Sequence, residues 1–164
     1  METGRVTVGV LRSVEIPTFP GGIDECIAHL RDGRNLTVYP RVEEFLRSVA
    51  ALGGIPQGQE PINALMVQEL FPGSSSRRVP YSQVLEEGRL MGGKPINPLV
   101  VPFLGDVLRG DLGAPAIFAG MEPSAIPGER NSQILCLRVV EGEEMDLISL
   151  SAGTVSGDCF VAFG

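Results

Sequence analysis

SQILCLRVVEGEEMDLISLSAGTVSGDCFVAF, residues Ser132–Phe163, holds three apolar runs: Ile134–Val140, Leu147–Leu150 and Cys159–Phe163. EGEEMD separates the first two and SAGTVSGD the last two. Short runs rich in Val, Ile, Leu and Phe, bounded by Gly, Ser, Asp and Glu, read as strands joined by tight connections. The expectation is a C-terminal antiparallel three-strand meander on which helices pack, and therefore an α+β fold.

Upstream, Arg5–Leu11 (RVTVGVL) alternates Val6, Val8 and Val10 with smaller or polar residues, the pattern of a strand with one buried face; Val14–Ile16 extends it. Ile23–Asp32 reads as a short helix, with Asp24 and Glu25 in the first turn, Arg31 in the last and Gly33 as its cap. Asn35–Tyr39 (NLTVY) reads as a second strand. Pro40 then opens the clearest helix, Arg41–Leu52, whose Val42, Phe45, Leu46 and Val49 follow i, i+3, i+4, i+7. The N-terminal third is thus a β-α-β-α unit, with a crossover about long enough for a parallel pair.

Between these ends the chain is punctuated by many of its 21 Gly and 13 Pro, so residues 55–131 read as an irregular middle that serves as a lid or an interface. Within it, Ile62–Leu70 is a helix or a buried strand, since a short apolar run does not separate the two. Pro80–Leu90 reads as a helix and Ala116–Ala119 as a short strand, while Pro102 argues against a central strand over Leu99–Leu108. The 164 residues form one domain by this reading, large enough to hold a core without staples.

Composition narrows the partners. Net charge is −7, with 13 basic against 20 acidic residues, which argues against a nucleic-acid surface. Lys94 is the only lysine, and the arginines that make up the rest are the better bidentate partners for carboxylates and phosphates. The longest apolar run, Leu99–Leu104, is too short to span a bilayer, and Met1–Val8 has no signal-peptide pattern. Three cysteines without framework spacing point to a reducing compartment, so the expectation is a soluble cytoplasmic protein.

Two groups of residues carry candidate chemistry. His29, the only histidine, follows Cys26 at i+3 and Glu25 at i+4 on the first helix. A thiol near a helix N-terminus, an imidazole to take its proton and a carboxylate to orient that imidazole make a nucleophilic set. The alternative is that Cys26 belongs to the core and the other two to its solvated rim. Ser74, Ser75, Ser76, Arg77 and Arg78 precede the helix expected at Pro80 and could hold a small anion there; a plain solvated loop is the alternative. The C-x-x-H spacing of Cys26 and His29 is half of a zinc set, yet the spacing of Cys136 and Cys159 does not mark the other half. No metal or cofactor is therefore assigned. Low charge and apolar strands favour a self-associating interaction or assembly protein, a homo-oligomer. The competing expectation is a small enzyme acting on an anionic or carbonyl substrate through the Cys/His pair or the Ser/Arg loop.

Overall fold

The three C-terminal runs do become strands, but of a larger sheet. The computed structural model describes residues 9–32, 36–71, 78–124, 131–141, 144–151 and 153–164. Chain order is β1 (Gly9–Ile16), α1 (Ile23–Asp32), β2 (Leu36–Val38), α2 (Pro40–Gly53), β3 (Gly58–Met66), the single turn α3 (Val67–Leu70), β4 (Arg78–Pro80) and α4 (Tyr81–Leu90). A 3-10 helix (Pro98–Phe103) and a π-helical turn (Val107–Leu112) follow, then β5 (Ala116–Ala119), β6 (Gln133–Glu141), β7 (Glu144–Ser151), β8 (Thr154–Ser156) and β9 (Phe160–Phe163). Seven strands make one mixed sheet in the order β1-β3-β9-β5-β6-β7-β2, and β4 with β8 makes a small second one. The expected start of the first strand, Arg5–Val8, the Gly33 cap and Asn35 lie outside the described residues.

The three-strand meander is corrected. β6 and β7 form the expected antiparallel hairpin, from Gln133↔Ser151 to Val139↔Met145. β9 leaves it and inserts between β3, antiparallel, and β5, parallel. The GTVSG piece read as turn supplies β8, which pairs with β4 instead. Nor are β1 and β2 neighbours: they lie at opposite edges of the sheet, so α1 carries the chain across its whole width. The middle read as irregular contributes β3 and β5 to the sheet's interior. β3 tolerates Pro61 because β9 pairs only with Asn63–Met66, leaving Pro61 beyond its reach on that side.

Register assigns the faces, because paired residues point to the same side. Ile62, Ala64, Ala162, Ile117, Leu135, Leu137, Leu147 and Met145 share one face and are buried. α1 and α2 turn Cys26, Ile27, Leu30, Val42, Phe45 and Leu46 inward, and α2 and the 3-10 helix pack on this side. Ion pairs Arg47–Asp24 (3.1 Å) and Arg31–Glu43 (3.4 Å) tie the two helices together along their exposed rims. Leu65, Val161, Phe163, Phe118, Cys136 and Ile134 form the opposite face. α4 closes it at close range. The Phe163 ring fills the space a Cβ would need at Gly88, and sits 2.9 Å from where one would stand at Gly93 or Gly120. The Tyr81 hydroxyl, with one proton to give, lies 2.5 Å from the Ala119 carbonyl and 2.8 Å from the Met121 carbonyl, and it accepts from the Met121 N–H (3.0 Å). Among the described residues no helix is long and apolar enough to cross a membrane.

Candidate functional site

Pro98 opens a helical segment and Pro102 inside it removes a backbone donor, so the chain forms a short 3-10 helix whose start is capped by Asn97 Oδ1 accepting from the Leu99 N–H (3.0 Å). Beyond Phe103 the turn widens. The Gly113 N–H reaches back to the Leu108 carbonyl (2.8 Å), and Gly113, at φ +60°, ends the π-helical turn in the left-handed region. The widened turn buries Leu108 fully and leaves Arg109 at the rim. Such single π turns recur at functional sites.

Two hollows meet there. One, of about 310 Å³, has a floor of Leu30, Leu36, Leu137 and Met145, with His29, Phe103, Asp106 and Arg109 around it. The other, about 660 Å³ and open to solvent, lies across the same Asp106 and Arg109. Asp106 Oδ1 accepts from Arg109 Nη2 at 3.2 Å, one turn apart, which sets the guanidinium on the wall between the two. His29 is held by aromatic neighbours. Its ring meets the edge of Phe19 at a centroid distance of 5.3 Å and lies 29° from the plane of Phe103 at 6.2 Å. The arrangement is a pocket with an aliphatic floor and a largely polar wall and mouth, into which a small molecule could fit.

The proposed nucleophilic set separates. His29 lines the cleft, whereas Cys26 is 0% exposed and packs into the core. Burial pushes its thiol up to about 11, away from the thiolate a nucleophile needs. Glu25 turns towards the helix N-terminus, where its Oε1 accepts from the Gly21 N–H at 2.6 Å. The core alternative for Cys26 is the one realised. Ser74, Ser75, Ser76 and Arg77 lie outside the described residues. Arg78 opens β4 and donates from Nε to Thr154 Oγ1 (2.6 Å) and from Nη2 to the Thr154 carbonyl (2.7 Å), so it clamps the small sheet. Cys136 and Cys159 are buried free thiols. Burial first, then the neighbouring Cys159 thiol, raises Cys136, while burial and the adjoining Asp158 carboxylate push Cys159 up to about 11. Among the described residues no three His, Cys, Asp or Glu side chains converge to hold a metal.

Sequence reasoning found His29 because it is unique and missed Arg109, Asp106 and Phe103. The i, i+3 spacing of Asp106 and Arg109 was the available signal for a charged helical turn. No protein-family model matches this chain, and neither a curated protein nor a solved structure resembles it at a significant level.

Proposed function

We propose that this protein binds a small anionic molecule with an apolar body in the cleft between α1 and the π-helical turn. The observation that supports this is the make-up of the cleft: an aliphatic floor of Leu30, Leu36, Leu137 and Met145 beneath a rim bearing His29 and Arg109. Arg109 offers a planar fork suited to a carboxylate, and Asp106 orients it. The stacked Phe103 and His29 rings give a flat organic ligand a wall to lie against. Reversible binding suits this chemistry better than covalent catalysis, because the nearest thiol, three residues from His29, belongs to the core.

A thermal-shift titration tests the reading with aromatic and aliphatic monocarboxylates, each matched by its neutral amide. A carboxylate should raise the wild-type Tm, its amide should not, and Arg109→Gln should remove the difference. Equal shifts from acid and amide, or no shift from any member of the panel, would sink it.

Self-association is a second reading, supported by β1. This strand of eight residues pairs with β3 alone, and among the described residues no strand covers its other edge. An open edge of that length is a template for a second copy. Light scattering across a hundredfold dilution range should then show a discrete dimer, and a monomer throughout would remove this reading.

A further inference from the structure

Building on the carboxylate reading of the cleft, we infer that Gly105 is its specificity-determining residue, and that its ligands are compact aromatic acids. In these the carboxylate is joined to the ring directly or through one carbon. Gly105 lines the cleft together with Met145 of the floor and Arg109 of the rim. It enters the π-helical turn in helical backbone, without the positive φ of Gly113. Its backbone therefore does not call for glycine. Nor does its immediate space. A Cβ there would stand 3.6 Å from Met145 Sδ, 3.9 Å from Met145 Cε and 4.0 Å from Arg109 Nη2, all ordinary contact distances. Gly88 is the contrast, since the Phe163 ring already fills the space its Cβ would need. Alanine is the better helix former, so at residue 105 the chain carries a residue that costs it helix stability. What the missing methyl leaves open is the strip of cleft between the Met145 thioether and the Arg109 guanidinium.

The same distances limit the ligand. Met145 Sδ and Arg109 Nη2 both lie within 4.0 Å of one point, so the apolar floor begins where the positive charge is. A carboxylate oxygen accepting from the guanidinium stands about 2.9 Å from its nitrogen, which brings the carbons next to the carboxylate within reach of Met145. A long flexible spacer would lift either the acid from Arg109 or the ring from the floor. The thioether is a good neighbour for an aromatic ring, and Phe103 and His29 line the same cleft with their own rings. Its volume of about 310 Å³ lies at the small end for ligand sites and suits one ring with a short acid arm. A methyl at residue 105 would occupy the strip and part such a ligand from the floor or from the guanidinium.

The test is calorimetric titration of the full chain with benzoate, phenylacetate and 5-phenylpentanoate. Wild type should bind the first two at least tenfold more tightly than the third, although the third is the most apolar. Gly105→Ala should weaken benzoate and phenylacetate at least tenfold while the Tm without ligand holds or rises. Equal or tighter binding of 5-phenylpentanoate by wild type would overturn the inference whatever the variant does. So would Gly105→Ala binding benzoate as tightly as wild type; if Arg109→Gln still abolished binding, the carboxylate reading of the cleft would survive that result. Failure of wild type to bind any of the three would remove both.

Discussion

The packing around Phe163 and the packing around His29 close the two faces of the sheet differently. Against the inner side of α4, the Phe163 ring is boxed by three glycines and the Tyr81 hydroxyl meets two carbonyls and an amide. On the side of α1, α2 and the 3-10 helix, the core is equally apolar, but where these elements end they leave hollows, one of them edged by His29 and Arg109. Filled volume around Phe163 serves rigidity there, although Asn63, its register partner on the same face, keeps a buried Oδ1 without a hydrogen-bond partner among the described residues. Hollows with converging polar groups are places where the chain has withheld the last increment of packing. The contrast predicts that substitutions on the α4 face change stability and those at the rim beside α1 change binding.

The largest effect should come from Gly88→Ala. Its Cβ would overlap the Phe163 ring, which cannot retreat because Gly93 and Gly120 are already in close approach. A loss of about 3 kcal/mol by urea unfolding is expected for such overpacking. If the variant were as stable as wild type, the α4 face would be softer than its geometry implies. Tyr81→Phe comes next. It deletes a buried hydroxyl that serves Ala119 and Met121, and about 2 kcal/mol should be lost.

A pH series probes the interior of the other face. Burial raises Cys26 from 9.0 to about 11, so above pH 9 the unfolded chain releases a proton that the folded one retains. Stability is therefore fully present below pH 9 and falls as pH rises towards 11. Cys26→Ala should flatten part of that decline. Tyr81, raised from 10.0 to about 12 mainly by burial, extends the decline to higher pH. For the same reason a thiol reagent at pH 7 should label none of the three buried cysteines until the protein is unfolded. Labelling of folded Cys26 at pH 7 would restore the nucleophile.

The smallest stability effect belongs to Arg109→Gln. Its ion pair with Asp106 is at the surface, so unfolding should shift by no more than about 0.5 kcal/mol while carboxylate binding is lost. A large destabilisation there would erase the distinction between the faces.

What was legible in the sequence follows the range of the forces involved. α2 announces itself through Pro40 and the Val42, Phe45, Leu46, Val49 stripe, all local signals, and it stands where the pattern put it. The β6–β7 hairpin is equally local. β9 was visible as a run, but its neighbours were not, since Asn63↔Phe163 joins residues that no nearby pattern connects. β3 was ambiguous because apolar runs of its length suit either structure, and β8 was too short to rise above its Gly and Ser flanks. At the site, His29 stood out by rarity. Arg109 sits on a turn without α-helical period.

β9 has one more consequence, for how the molecule is made. In the sheet it alone joins the β1–β3 pair to the β5-β6-β7-β2 group. Without residues 160–163 between them, β3 and β5 would each present an unpaired edge, and both edges are met by the same four residues. The sheet is therefore held together by pairings such as Asn63↔Phe163 that lie a hundred residues apart in sequence, the kind of contact that forms slowly.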